Sequence, residues 1–307
     1  MTRYIIKRTI IVILTLILIS TITFFLMNTV PGGPFLSEKA PSPQVLKMLE
    51  EKYGLDKPLI VQYKTYMVDL AHGDMGVSLK KKGRAVMEII LEKFPVSGKL
   101  GLVAIAIAIS FGIPIGCIAA LRRGHWIDNA LMFIATIGIA VPSFVVATSL
   151  MIIFGVKLHM LPTFGLSTPL HYILPAFTLA FYPMSYMARL MRSSMLDVLS
   201  LDYIRTARAK GVSQFKMIFK HALRNSLIPV ITYLGPLMAY ILTGSFVVEK
   251  IFTIPGLGGE FINSITNRDY PLIMGTTIFL ATILIFMNFL VDILYKVVDP
   301  RVNLDKE

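Results

Sequence analysis

Six times along the chain, a run longer than about 20 residues passes without a single Asp, Glu, Lys or Arg. These runs cover residues 9–37, 100–121, 129–156, 158–188, 225–248 and 270–291. A bilayer core about 30 Å thick is crossed by roughly 20 helical residues. Trimming the Pro- and Gly-rich ends predicts membrane-spanning helices near 9–29, 98–121, 128–155, 171–190, 226–248 and 272–295. Six consecutive windows of spanning length argue against a set of buried helices in a soluble protein. The first run follows Arg3, Lys7 and Arg8, as a signal peptide would. It is far longer than the 7–15 residues of a signal core, however, and no A-x-A site follows it, so it reads as an uncleaved first span.

Composition agrees with that pattern. Hydrophobic residues make up 55%, charged residues 16%, and mean hydropathy is +0.71. A soluble domain carries about 25% charged residues, and this much apolar material excludes disorder. With Cys117 as the only cysteine, one copy can form neither a disulfide framework nor a multi-cysteine metal site. The net charge is +12. Arg3, Lys7 and Arg8 precede span one, and Arg122 and Arg123 separate spans two and three. Arg192, Arg205, Arg208, Lys210, Lys216, Lys220 and Arg224 lie between spans four and five, opposed by Asp197 and Asp202. The positive-inside rule then puts both termini in the cytoplasm.

The 31–97 connection reads as a small extracytoplasmic insertion. Ser42 is a candidate N-cap, with Pro43 at the first helical position and Gly54 after the last. A second amphipathic pattern follows Pro58 (Leu59, Tyr63, Tyr66, Met67, Leu70), and a third (Val86, Ile89, Ile90, Phe94) leads into span two. Such helices could cover the spans or lie over the outer mouth of a pathway.

The centres of the spans hold no ionisable acid or base of the kind that ion-coupled carriers place at mid-membrane. His171, near the start of span four, fits a hydrogen-bonded interface residue better than a cavity ligand. No G-x-S-x-G, H-E-x-x-H or G-x-x-x-x-G-K-[ST] is present, so no catalytic or nucleotide-binding constellation is visible. Energy for uphill transport would have to enter from elsewhere.

Residues 192–225 carry a pattern suited to that entry. Asp202 can cap a short helix through Lys210, Gly211 can end it in the left-handed conformation, and Ser213 can cap a second. In the second helix Phe215, Ile218, Phe219 and Ala222 form an apolar face, while Lys216, Lys220 and Arg224 form a basic one. This helix–glycine–helix elbow suits either a membrane surface rich in anionic lipid or a groove on a cytoplasmic partner. Small residues at Ala207, Ala209 and Gly211 allow close approach.

The run Asp202-Tyr203-Ile204-Arg205-Thr206-Ala207-Arg208-Ala209-Lys210-Gly211, followed by His221-Ala222-Leu223-Arg224-Asn225 and Pro229, resembles the cytoplasmic loop of binding-protein-dependent ABC importer permeases. Aligned on Gly211, their E-A-A-x3-G-x9-I-x-L-P signature is kept at Ala207, Gly211 and Leu223. It is changed at Arg205, Thr206, His221 and Arg224, in the manner of the peptide and nickel permease subfamily. Other segments look like that subfamily too. They are Pro31-Gly32-Gly33-Pro34, residues 53–58, 138–144, 242–252 and 254–258, Asn267-Arg268-Asp269-Tyr270-Pro271 and Asp299-Pro300-Arg301. Together they resemble the B-type permease subunit of oligopeptide or dipeptide ABC importers.

The resemblance implies an all-α membrane protein of the ABC type I importer permease fold: residues 1–30 holding the N-terminal end and span one, the 31–97 insertion, a 98–299 core with its 192–225 coupling loop, and a 300–307 cytoplasmic tail. It implies a cell-membrane subunit without catalysis of its own, paired with a second homologous permease. Two cytoplasmic ATPases would bind ATP and Mg, and an extracellular solute-binding protein would deliver a peptide. It makes residues 202–211 the ATPase-docking helix, supported by Arg224 and Asn225, and sets Gly244, Ser245, Phe246 and Glu249 near an outer gate. A permease for nickel or another small solute, and a stand-alone channel or ion-coupled carrier, are the alternatives. Pro142, Pro183, Pro229 and Pro236 are expected to interrupt helices, and Gly112 with Gly116 to permit close helix contact.

Overall fold

The computed structural model describes residues 2–30, 32–35, 42–81, 83–242 and 244–298, without side-chain detail at 2–6, 239 and 291–298. Pro31, Lys82, Thr243 and the expected 300–307 tail, with Asp299-Pro300-Arg301, lie outside the described residues. The described chain is helical, with one isolated antiparallel bridge between Val77 and Ala85 and no strand. Helices α1 (Thr2–Thr29), α2 (Pro43–Tyr53), α3 (Leu59–Ala71) and α4 (Val86–Leu121) come first, then α5 (Trp126–Ala140) and α6 (Ser143–Leu150), which runs on as a π-helical turn to Lys157. After them come α7 (Ile173–Leu199), α8 (Asp202–Ala209), α9 (Gln214–Lys216), a π-helical segment Met217–Ala222, α10 (Leu223–Ser226), α11 (Ile228–Leu242), α12 (Phe246–Ile251), α13 (Leu257–Thr266) and α14 (Tyr270–Val298).

Among the described residues, three helices are individually long and apolar enough to cross a membrane: Lys7–Thr29, Val86–Leu121 and Tyr270–Leu290. Two bent pairs would raise the number to five if each is one span. Trp126–Ala140 with Ser143–Lys157 bends by 107° at Val141-Pro142, and Gln214–Ser226 with Ile228–Leu242 bends by 49°. Pro142 thus interrupts its helix as expected, and Pro229 stands in the first turn of α11. Pro183 and Pro236 depart from expectation, because both sit inside unbroken helices.

The chain forms two compact units, residues 1–96 with 255–285, and 97–254 with 286–307. In the first, the capping signals hold. The Val45 amide donates to Ser42 Oγ at 3.5 Å, Pro43 opens α2, and Gly54 closes it at φ 67. The third amphipathic pattern becomes the start of α4, where Val86, Ile89 and Ile90 are fully buried against Leu257 and Leu272. Phe24, Met274 and Ile278 form a second cluster with Tyr63, Tyr66 and Leu70.

In the second unit α7 is the central element, packed against α5, α6, α11 and α12. The Gly112/Gly116 expectation holds, since a Cβ at Gly112 would stand 2.8 Å from the Met184 carbonyl oxygen and one at Gly116 2.5 Å from that of Ala188. Helix α7 continues to Leu199, so the first residues of the expected 192–225 loop are its last two turns.

Candidate functional site

The elbow between α7 and α11 begins at Ser200, whose hydroxyl donates to the Asp197 carbonyl at 2.7 Å. Leu201, in extended conformation, occupies the N-cap position of α8. Asp202 is therefore not the cap that the sequence suggested. It lies in the first helical turn, where a carboxylate still favours the positive end of the helix dipole. Its side chain faces Arg205 at 3.4 Å in the open. Ile204 is the one buried residue of α8 and fixes the helix to the unit. Arg205, Thr206, Arg208, Ala209 and Lys210 are exposed, and Ala207 is half-buried.

Gly211 ends the helix at φ 75, its amide donating to the Arg208 carbonyl at 3.0 Å, while the Val212 amide donates to Ala207 at 3.2 Å. These bonds satisfy carbonyls that the end of a helix leaves free. A Cβ at Gly211 would meet nothing within 4 Å, so the glycine is required by conformation and not by crowding inside the chain. Ser213 takes the N-cap position of α9 without a side-chain bond.

Beyond Lys216 the backbone widens into the π-helical segment, and here the helical-period reading of the apolar face fails. Met217, Ile218 and Ala222 are buried, whereas Phe215 and Phe219 are 71% and 57% exposed, their rings 4.4 Å apart. A π-turn takes more residues than an α-turn, so residues three apart no longer share a face: Ile218 and Ala222 stay inward while Phe215 and Phe219 turn out. The basic stripe survives, with Lys216, Lys220 and Arg224 exposed.

A polar clasp ties the two arms together. Tyr203 donates its hydroxyl to the His221 carbonyl at 3.2 Å and accepts from Asn225 Nδ2 at 2.8 Å. Asn225 thus joins the two arms, and Arg224 is exposed on the basic surface. Ser226 bonds the Ala222 carbonyl at 2.9 Å and the Met195 sulfur at 3.3 Å, joining the elbow to α7. Just above, Arg192 holds Asp128 in a two-pronged ion pair at 2.6 and 2.7 Å, and the Gly124 amide donates to the same carboxylate at 3.1 Å. Asp128 is buried. Sequence reading missed this pair. The only signal was an acid in the first turn of α5, and nothing in the chain order joins it to Arg192.

The second group of expected residues lies after α11. Gly244 has φ 90, Ser245 caps α12 by accepting from the Val248 amide at 3.5 Å, and Phe246 is half-buried. Glu249, placed near an outer gate by the resemblance, is 1% exposed and accepts a hydrogen bond from Ser97 at 2.7 Å. His171, expected as a hydrogen-bonded interface residue, has its Nδ1 bonded locally to the Thr168 amide and hydroxyl at 3.2 and 2.8 Å. Also unforeseen is a tyrosine cluster, Tyr182, Tyr186 and Tyr233, with 4.5 Å between the last two rings.

The first unit contains a cavity of about 460 Å³ at the ends of α1, α2, α3 and the start of α14. The Tyr66 hydroxyl lines it, buried and without a hydrogen-bond partner among the described residues, and burial pushes its phenol above the usual range.

Residues 112–304 match the family described as "Binding-protein-dependent transport system inner membrane component", and residues 1–101 match "Binding-prot-dependent transport system membrane comp, N-term". The chain is 51% identical to the dipeptide transport system permease protein DppB of Bacillus subtilis over the whole of both chains. It is 44% identical to the oligopeptide transport system permease protein OppB of Haemophilus influenzae, over 99% of this chain and 100% of that protein. Among solved structures, a chain of the MetNI methionine ABC transporter in an inward-facing conformation superposes with a TM-score of 0.58 at 16% identity, over 69% of this chain and 97% of that one. That likeness concerns the fold.

Proposed function

Because the chain belongs to the binding-protein-dependent transport system inner membrane component family, we propose that it forms half of the membrane pathway of an ATP-driven importer of dipeptides or oligopeptides. The observation that carries the substrate class is its end-to-end likeness to permeases named for dipeptide and oligopeptide transport. The chain does no chemistry of its own. It crosses the cell membrane six times with both termini in the cytoplasm, α7 supplying the span beyond the three long helices and the two bent pairs. A second, homologous permease completes the pathway, an extracellular binding protein delivers the peptide, and two cytoplasmic ATPases bind ATP and Mg.

In this reading the elbow is the coupling element. Residues 202–211 enter a groove on an ATPase, with Ala207, Ala209 and Gly211 allowing close approach and the exposed cations adding attraction. The Tyr203–Asn225 clasp makes the two arms move as one body, and Ser226 with Ile204 passes the motion to α7 and its neighbours. Gly244, Ser245, Phe246 and Glu249 lie at the outer gate. Their mixture of a left-handed glycine, a capping serine and a buried carboxylate suits a segment that changes shape without shedding its hydrogen bonds.

The test is to purify the four-subunit complex and measure ATP hydrolysis with peptide-loaded binding protein. Stimulation by peptide, lost when Gly211 is replaced by Trp, is the expected result. Uptake by vesicles containing this chain alone, with no ATPase present, would overturn the assignment.

A further inference from the structure

Two motifs have no part in the elbow: the turn after α1 around Gly32, and Asn267-Arg268-Asp269-Tyr270-Pro271 between α13 and α14. Within the first unit they meet. Arg268 adopts φ 56, a left-handed conformation uncommon for a long side chain. Its guanidinium lies against Gly32, where a Cβ would collide with Nη1, so the missing side chain is what admits it. Tyr270 donates its hydroxyl to the Gly32 carbonyl at 3.5 Å. The adjacent acid does not neutralise Arg268. Asp269 is buried, accepting from the Ser78 hydroxyl and, at 3.0 Å, from the Leu79 amide. Among the described residues no carboxylate pairs with Arg268.

The same arginine lines a groove of about 400 Å³. Val30 and Arg268 stand at the ends of α1 and α14, and Thr23 and Thr277 lie about two turns further along those helices, so the groove runs inward from the helix ends. Both helices are long and apolar enough to span a membrane. The walls include Leu26, Met27, Val30, Ile265 and Ile273, and Leu26 and Val30 are 61% and 54% exposed. Thr277 has its hydroxyl committed to the Ile273 carbonyl at 2.7 Å. The lining contains no Asp or Glu.

We propose that this groove binds one phospholipid of the leaflet at that end, its phosphate on the Arg268 guanidinium and one acyl chain along Leu26, Met27, Val30, Ile265 and Ile273. A planar guanidinium at a membrane boundary is matched by a phosphate oxygen pair, and the apolar trough offers an acyl chain what it offers nothing polar. A peptide is a poor occupant, since its amino group would find no acid. A helix of another subunit would have to bring a carboxylate to avoid burying the cation alone. The lipid satisfies both ends of the site, and the inference stands apart from the identity of the transported solute.

The test uses the purified complex in detergent, titrated with phosphatidylglycerol and read by native mass spectrometry. One adduct should survive at concentrations where Arg268→Gln has weakened it at least tenfold and Ile265→Trp has removed it, with Arg268→Lys in between. Equal adducts in all four proteins would overturn the site. As a check that does not depend on the variants folding, a benzophenone amino acid at Leu26 should crosslink to lipid in native membranes. A crosslink to a second polypeptide would instead make the groove a subunit interface and reject the proposal.

Discussion

Gly116 and Gly211 are the same residue for opposite reasons, and the two regions they occupy differ in the same way. Gly116 sits in an ordinary helix, and its Cβ would meet the Ala188 carbonyl oxygen at 2.5 Å and Met191 Cβ at 2.6 Å. Gly211 has open space around it but a left-handed backbone. The packing of α4 and α5 on α7 is held by neighbours, through buried methionines and glycines on the α4 side and the Asp128–Arg192 pair on the α5 side. The elbow is held by its own backbone, one buried isoleucine and a tyrosine clasp. If the elbow is the coupling element proposed above, a lightly fastened head would fit the partner while a rigid shaft carries the motion.

The comparison can be broken most directly at Asp128. Asp128→Ala leaves Arg192 without its acid in a largely enclosed place, and breaking a buried pair costs about 3–5 kcal/mol. Thermal unfolding of the purified complex should show the largest loss in this variant, and adding Arg192→Met should restore part of it. Gly116→Val comes next, forcing α4 from α7 at about 1–3 kcal/mol, read as a lower melting temperature and poorer assembly. Gly211→Ala should cost about 1–2 kcal/mol through its left-handed φ alone, with Gly211→Asn costing less. Equal losses for Ala and Asn would show that space, not conformation, matters there. Tyr203→Phe should be mildest, removing exposed bonds worth about 1 kcal/mol. It should leave folding intact and lower peptide-stimulated ATP hydrolysis, which sharpens the distinction between a shaft that stabilises and a head that couples.

Much of this was readable from local rules. Ser42, Pro43 and Gly54 bound a helix because capping and left-handed termination depend on neighbours in sequence, and Gly211 ends α8 for the same reason. Gly112 and Gly116 marked a close contact by their spacing. What stayed hidden depends on partners far along the chain or on a changed period. Asp128 and Arg192 are 64 residues apart in the chain. The burial of Glu249 was not readable, because Ser97, a hydrogen-bond partner, lies 152 residues away. The outward turn of Phe215 and Phe219 follows from a π-segment that no 3.6-residue pattern anticipates. Pro183 and Pro236 were expected to interrupt helices, yet both helices run through them.

The interleaving of the two units sets an order of events during synthesis. Val86, Ile89 and Ile90 emerge long before Leu257 and Leu272, the residues that cover them. At about 5–20 residues per second the wait is on the order of ten seconds or more. A nascent chain therefore carries an uncovered apolar stripe through most of its production, and a ribosome that stalls before Leu257 releases a product whose first unit has no means of closing.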